Sequence, residues 1–241
     1  MKNLQKMGGI SSLICAATYL VCMGLLFTIL APMEGTAMGF AQLMDFFLAN
    51  QTTIFIWHLL AYLVNGVFLV ILALALFDRL KAVSPATGQA ATIFGLIWAA
   101  LIFASGFITL YGWEVLASLY RSDPTQAATL KLALGTVTTG LDHSDRFLGC
   151  LWVLLASWAA LRSGVLPKAL NYLGLGIGIP GIVSTAFPAL TELSIAFGLG
   201  IIVWWIWLGI VMLRKNSAVA MQEPVAFGPR QRTTGGEGWI R

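Results

Sequence analysis

The residues best suited to chemistry lie in the stretch GLDHSDRFLG, which stands directly before a strongly apolar segment. One interpretation makes this stretch the start of a membrane-spanning helix. Asp142 is placed to cap the first turn, and Asp145 follows at the spacing of a capping box. Acidic side chains in a first turn also interact favourably with the helix dipole, and Arg146 can pair with Asp142 at i, i+4.

The other interpretation makes the stretch part of a site, because polar side chains elsewhere are predicted at the same depth. His58, Tyr62 and Asn65 are spaced i, i+4, i+7 and predict one polar stripe on the second span. Glu114 ends the third span. Ionisable groups in membrane segments are functional-site candidates by default. The candidate ligand-binding residues of this outward-facing polar pocket are His58, Tyr62, Asn65, Glu114, Asp142, His143, Asp145 and Arg146.

Metal and haem chemistry are the alternatives for that pocket. Two histidines with carboxylates can bind Zn²⁺ with an open position for water, and two histidines from different helices can ligate haem. His58 and His143 are the only histidines, and neither belongs to a motif such as HExxH. We therefore expect no catalytic residues and no cofactor, and any metal would have to use His58 and His143.

The composition is that of a membrane protein. The 241 residues are 59% hydrophobic and 10% charged, with a mean hydropathy of +0.86, whereas soluble domains are about a quarter charged. The basic residues lie at helix ends and in a tail and form no stripe with interleaved aromatics, so no nucleic acid partner is expected. The three cysteines lie in apolar segments without CxxC spacing and are expected to be core residues.

Six apolar segments are long enough to cross a bilayer, which predicts an all-α, polytopic fold with six transmembrane helices. The hydrocarbon core of a bilayer is about 30 Å thick and needs roughly twenty helical residues. The first segment is too long for a signal peptide, and no convincing cleavage site follows it. The predicted spans are residues 10–30, 54–77, 91–111, 143–161, 170–187 and 193–213.

The basic residues predict how these spans are oriented, since cytoplasmic loops are enriched in Lys and Arg. With the N-terminus in the cytoplasm, eleven of the 14 Lys and Arg residues fall inside, and only Arg121, Lys131 and Arg146 fall outside. Six spans then bring both termini to the cytoplasm. The predicted location is the inner membrane of a bacterium, in contact with membrane lipids.

The outer loops are predicted to contain short helices. In GFAQLMDFFLAN the apolar residues follow helical spacing, so an amphipathic helix is expected in the outer interface. In the second outer loop, Ser122 or Asp123 can cap a helix, and Pro124 suits its first position. This predicts a helix over residues 124–138 that rests on the outer face, with Gly140 allowing the chain to turn.

The chain is predicted to divide into a transmembrane domain, residues 1–215, and a cytoplasmic tail, residues 216–241. The tail is polar, contains Gly and Pro and lacks helical periodicity, which predicts disorder for the isolated segment. Phe227 and Trp239 are the tail residues through which a partner membrane subunit would bind it.

The fifth predicted span contains GIGIPG, residues 176–181, which fits the letters of the dinucleotide-binding motif GxGxxG. Inside a membrane span that motif lacks its strand and helix context. Gly174, Gly178 and Gly181 instead predict close helix contacts, with a kink at Pro180. A helix broken there would suit a small transporter, although the first half of the chain has no matching break.

Four longer strings carry a family resemblance: WHLLAYLVNGVFLVILALALFDRL, FGLIWAALIFASG, LWVLLASWAALRSGVLPKALNYLGL and FGLGIIVWWIWLGIVMLR. Together they resemble a bacterial family of six-span membrane proteins filed under a domain of unknown function, over most of residues 10–215. The resemblance implies the six-span fold and its topology. It supplies no catalytic signature and no site residue.

The sequence therefore predicts a membrane protein and leaves three functions open. The leading hypothesis is a non-catalytic accessory subunit or a binder of lipid or another hydrophobic ligand, because no paired catalytic motif is present. The alternative is a membrane-embedded enzyme, or a metal or haem site, in the outward-facing polar pocket. The third hypothesis is a small transporter that uses the fifth span.

Overall fold

The structure, a computed structural model, describes residues 2–34, 38–187 and 190–214. Every regular element in these residues is a helix. In chain order they are α1 (Lys2–Phe27), α2 (Ala31–Glu34), α3 (Phe40–Ala49), α4 (Gln51–His58), a π-helical turn (Leu59–Val64), α5 (Asn65–Leu80), α6 (Pro85–Ser122), α7 (Pro124–Ser163), α8 (Lys168–Ala186) and α9 (Thr191–Leu213). The predicted tail, residues 216–241, lies outside the described residues.

Six segments within the described residues are long and apolar enough to cross a membrane. One of them, Gln51–Leu80, combines α4, the π-helical turn and α5, and the others are α1, α6, α7, α8 and α9. The predicted all-α fold with six transmembrane helices is confirmed, and the chain is a multi-pass membrane protein.

The six spans close into a ring in which each packs against the next along the chain, and α9 packs back against α1. Because consecutive spans run in opposite directions and their number is even, α1 and α9 are antiparallel as well. Their backbones approach closely at Gly9 and Gly209, where a Cβ on either residue would lie within 3.1 Å of the other's carbonyl oxygen. Small residues at such crossings are how membrane helices pack.

A cluster of tryptophans fills the centre of the ring. Trp98, Trp152, Trp204 and Trp205 are each at most 2% exposed. Trp98 packs against Trp152 and Trp205 with ring centroids 5.6 and 6.2 Å apart, and Trp152 meets Trp204 edge-on at 5.6 Å. The cluster therefore joins α6, α7 and α9 through large buried aromatic surfaces.

The predicted break before the fourth span is wrong, because α7 begins at Pro124 and continues without a break for 40 residues. The separate helix over residues 124–138 and the turn at Gly140 are absent, and Asp142 lies inside α7 instead of capping it. The cap predicted at Asp123 is confirmed, since its carboxylate accepts hydrogen bonds from the backbone N–H groups of the next turn.

Packing against α6 explains why α7 continues through Gly140. Ala127 is fully buried, Leu134 packs against Gly112, and the Lys131 ammonium lies 5.2 Å from the centre of a tryptophan ring of α6. A glycine costs a helix about 1 kcal/mol relative to alanine. The contacts with α6 offset that cost, so tertiary packing overrides the local preference for a turn.

The helices α6 and α7 extend together past one end of the ring. They contain 38 and 40 residues against 19 in α8, which corresponds to about 57, 60 and 28 Å. Gly181 of α8 packs against Cys150 of α7, so α8 ends near the level of Asp145. Residues 104–122 and 124–142 form an antiparallel hairpin beyond that level, and we call this the hairpin end.

The opposite end of the ring carries basic residues, and we call it the basic end. Arg79 and Arg162 lie in the last turns of α5 and α7, Lys168 begins α8, and Arg214 follows α9. Lys81, in the turn after α5, forms an ion pair with an aspartate one turn earlier at 2.5 Å. Basic residues therefore gather at this end of the ring.

Two further local predictions concern α3 and α8. The short helix predicted after Gly39 is confirmed as α3, whose Met44 and Phe47 are buried. The fifth span is not broken, because α8 runs continuously through Pro180. Proline is tolerated in membrane helices where neighbouring helices satisfy the freed backbone groups.

The predicted close contacts of the α8 glycines are confirmed. Gly174, Gly178 and Gly181 are buried against α7, where an added Cβ would meet Ser157, Leu154 and Cys150. The transporter hypothesis therefore loses the broken helix on which it depended.

Candidate functional site

A cavity of about 340 Å³ lies where the hairpin leaves the ring, between α1, α6, α7, α9 and the π-helical turn. Asp142, Asp145 and Arg146 of α7 line it together with Tyr62. We call it the acidic cavity. Four of the eight predicted pocket residues therefore meet in one cavity, although they come from segments 80 residues apart in the chain.

The other two predicted residues of the second span lie beside this cavity. His58 is 7% exposed, its Nδ1 lies 2.7 Å from the Ile54 carbonyl oxygen, and its ring stacks on Tyr62 at 5.7 Å. Asn65 is fully buried and turned to α1, where its amide donates to the Cys15 carbonyl at 3.3 Å and to a threonine hydroxyl at 3.0 Å. These side chains support the cavity wall without lining it.

The π-helical turn explains why the predicted stripe divides. A π-helix bonds i to i+5 and is wider than an α-helix, so the angular spacing between His58 and Asn65 departs from that of a regular helix. Tyr62, inside the turn, lines the acidic cavity, whereas Asn65, just after it, bonds to α1. Turns of this kind occur frequently at functional sites.

The remaining predicted residues lie elsewhere. Glu114 is exposed and lines a second cavity, and His143 is half-buried and lines neither of the two. The expected pairing of Arg146 with Asp142 is not formed, since neither side chain makes an ion pair or hydrogen bond with a described residue. Phe227 and Trp239 lie outside the described residues, so partner binding through the tail stays a prediction.

The acidic cavity is not the two-histidine metal or haem site that the sequence left open. Its lining includes two carboxylates, two phenols, a guanidinium, a serine hydroxyl, the Cys22 thiol and the Met23 thioether, and neither histidine lines it. Within the described parts of the chain, no group of three or more His, Cys, Asp or Glu side chains is placed to hold a metal ion.

The second cavity lies between α4 and the hairpin part of α6 and measures about 770 Å³. We call it the α4–α6 cavity. On α6 its lining runs from Phe107 to Arg121, which at the helical rise is about 21 Å. On the facing side, formed by α4 and the π-helical turn, the lining runs from Gln51 to Leu63. Its volume falls within the range of about 300–1,000 Å³ that is usual for ligand sites.

The lining of the α4–α6 cavity changes character along its length. Apolar side chains occupy the end nearest the ring: Phe55, Leu59, Leu63, Phe107, Leu110 and Tyr111. Polar side chains gather toward the tip of the hairpin: Gln51, Thr52, Glu114, Ser118 and Arg121. Trp113 forms one wall, where it stacks on Phe47 with ring centroids 4.5 Å apart. The cavity therefore offers a long apolar surface with a polar end.

The sequence had not indicated this second cavity, nor the aromatic walls of the first. The α4–α6 cavity depends on the continuous α7, which holds the outer half of α6 as a helix beyond the membrane boundary predicted for it. The available signal was a repeat every three to four residues that continues past the end of the predicted third span, at Phe107, Leu110, Glu114, Ser118 and Arg121.

Comparison with known proteins gives a family and no activity. The family described as a domain of unknown function, DUF4386, matches residues 7–215. No curated protein and no solved structure matches the chain. The resemblance carried by the four sequence strings is thus confirmed. The family match covers most of the chain, including five spans in full and the first from residue 7 onward, and the chain therefore belongs to the DUF4386 family of proteins.

Proposed function

We propose that this protein binds a membrane lipid in the α4–α6 cavity. The observation that carries the proposal is the combination of ligand-sized volume, about 770 Å³, with an apolar region at the ring and polar groups toward the hairpin tip. A lipid has the same division between chain and headgroup. An acyl chain would lie along Leu59, Leu63 and Phe107, and the headgroup would lie near Arg121.

Exposed apolar side chains support this occupant. Phe55 is 52% exposed, Phe107 49% and Tyr111 66%, and all three line the cavity. All three residues belong to segments predicted to span the bilayer, so the apolar surface that they expose is surface that acyl chains contact.

The polar end of the cavity supports a headgroup that carries negative charge. Arg121 provides a guanidinium, which pairs with phosphate through two parallel hydrogen bonds. Glu114 lies two turns before it on α6, closer to the apolar part. Gln51 and Thr52 offer further hydrogen-bonding groups from α4. A phospholipid phosphate near Arg121 would match this arrangement.

The test is native mass spectrometry of the full-length protein released from a neutral maltoside detergent, followed by extraction and identification of bound lipid. Ser118→Trp places an indole in the cavity and is expected to lower the fraction of lipid-bound protein at least about fivefold, because bound chain and indole would compete for one space. Arg121→Gln is expected to reduce the share of phospholipid among the bound species.

The matched control is Ser122→Trp, one turn further along α6, where the serine is exposed and does not line the cavity. It should carry as much lipid as the wild type. Absence of bound lipid from the wild type would overturn the proposal. Equal lipid occupancy in the Ser118→Trp and Ser122→Trp proteins would also overturn it.

The orientation of the chain is a second part of the proposal. We place the hairpin end outside the cytoplasm and the basic end inside, in the inner membrane of a bacterium. The support is the charge asymmetry: the basic end carries Arg79, Arg162, Lys168 and Arg214, and short basic loops remain cytoplasmic. The α4–α6 cavity would then lie on the outer side, beside the outer leaflet.

A further inference from the structure

The acidic cavity contains charged side chains that form no direct ion pair or hydrogen bond with the described residues. Asp142, Asp145 and Arg146 line it, and none of them forms a hydrogen bond or ion pair with any part of the chain that the structure describes. Isolated charges in a membrane protein are costly and are retained where they meet a ligand, an ion or a partner. Two carboxylates against one guanidinium leave the cavity with an excess of negative charge.

Aromatic rings form much of the remaining wall. Tyr19, Trp57, Tyr62 and Trp98 line the cavity from α1, α4, the π-helical turn and α6. Trp57 is fixed by its Nε1, which donates to the Cys22 carbonyl at 2.9 Å, and meets Tyr62 edge-on at 5.9 Å. The negative faces of aromatic rings attract cations, most strongly where water is excluded, and several rings together bind quaternary ammonium groups.

A buried hydroxyl lies beside the cavity without lining it. Ser105 is fully buried, and its Oγ has no hydrogen-bond partner among the described residues. It lies three residues after Ile102 and seven after Trp98, both of which line the cavity, so it continues the same face of α6. The packing of Gly149 on Trp98 sets the α6–α7 register and places Ser105 level with Asp142.

From these features we propose that the acidic cavity binds a small organic cation of the ammonium class. The ammonium would lie between the aromatic rings and the carboxylates of Asp142 and Asp145. A volume of about 340 Å³ suits a compact ligand. A neutral or anionic ligand would leave the excess negative charge of the cavity uncompensated. This site is separate from the α4–α6 cavity, and the two are tested with different ligands.

The experiment is isothermal titration calorimetry of the full-length protein in a maltoside detergent, which carries no charge of its own. Choline is the probe, and 3,3-dimethylbutan-1-ol, which has the same shape without the charge, is the comparison ligand. Choline is expected to bind at least about tenfold more tightly, which corresponds to about 1.4 kcal/mol. Equal binding of the two ligands, or no binding of choline, would overturn the proposal.

Three substitutions assign the binding to this cavity. Asp145→Asn and Asp142→Asn are each expected to weaken choline binding about tenfold or more, while Arg146→Gln is expected to strengthen it because an opposing charge is removed. Because a general loss of structure would weaken choline binding in every variant, opposite changes in affinity indicate a local electrostatic effect. The control is Asp45→Asn, an exposed carboxylate on α3 that lines neither cavity.

Helical content and the unfolding temperature of each variant are measured before titration, so that only folded protein is compared. If Asp142→Asn and Asp145→Asn both bind choline as the wild type does, the site is refuted. Weaker binding to Arg146→Gln than to the wild type would likewise refute it. The expected changes in both directions, with Asp45→Asn unchanged, would establish it.

Discussion

Asn65 places an amide in the interior of a membrane-spanning helix, where no water is available to bond it. Its Nδ2 donates to Thr18 Oγ1 and to the Cys15 carbonyl, and the Thr18 hydroxyl donates to the same carbonyl at 2.9 Å. This small network joins α1 to α5 at the level of the π-helical turn. These partners reduce the cost of burying the Asn65 amide, whose Oδ1 has no partner among the described residues.

We predict a measurable coupling between Asn65 and Thr18. Asn65→Ala and Thr18→Val should each lower the free energy of unfolding, and the double variant should lose less than the sum of the two. The expected coupling is about 0.6 kcal/mol and at most about 2, the range found for hydrogen bonds between membrane helices. Unfolding in mixed detergent micelles, followed by circular dichroism, measures it.

A coupling indistinguishable from zero would show that the Asn65–Thr18 hydrogen bond contributes nothing to joining α1 and α5. Thr18→Val is a suitable partner because valine has nearly the same shape and lacks only the hydroxyl. Any loss of stability in that variant therefore reports on the hydrogen bonds more than on packing.

At the scale of elements, one face of α8 shows how closely the spans are packed. Gly174 lies between α7 and α9, where a Cβ would overlap Ser157 Oγ and come within 2.8 Å of Trp204 Nε1. Gly176, two residues later on the same helix, is exposed, and a Cβ there would have no heavy atom within 4 Å. The two positions share a helix and differ in what surrounds them.

We predict opposite effects of alanine at these two positions. Gly174→Ala should destabilise the protein by about 1–3 kcal/mol, because overpacking forces neighbouring atoms to move. Gly176→Ala should be neutral or slightly stabilising, since alanine is preferred in helices by up to about 1 kcal/mol. The same detergent unfolding measurement compares them. If both variants were equally stable, the close contact of α8 with α7 and α9 would be contradicted.

At the scale of the whole molecule, the two ends of the ring can be addressed separately by chemical labelling. The three native cysteines are buried and provide little background. Leu132 is 76% exposed on the hairpin, and Val83 is 56% exposed in the turn at the basic end. Each position can therefore report on which side of the membrane its end of the protein lies.

We predict that Leu132→Cys is labelled in intact cells by a maleimide that cannot cross membranes. Val83→Cys should be labelled only after the membrane is permeabilised, because basic loops remain cytoplasmic. The wild-type protein, tested in parallel, should stay unlabelled in intact cells. Labelling of Val83→Cys but not Leu132→Cys in intact cells would reverse the proposed orientation.

Local composition was enough to predict the spans, because a bilayer requires long apolar helices whatever their neighbours are. The amphipathic α3 and the cap at Asp123 were predictable for the same reason, since each depends on residues close together in the chain. The continuity of α7 through Gly140 was not predictable, because contacts with α6 hold the interior of α7 as helix. The local preference of Gly140 favours a turn, and the contacts between α7 and α6 override that preference.

The sequence by itself determined a six-span, all-α membrane protein with one basic end, since hydrophobicity and charge act on each segment independently of the fold. Only the tertiary structure decided which polar residues meet. It brought Tyr62 to Asp142 and Asp145, turned Asn65 to α1 and placed Glu114 in a different cavity. The physical reason is that the π-helical turn and the register of α6 against α7 set these positions. Both depend on contacts between distant parts of the chain, which spacing along one helix cannot reveal.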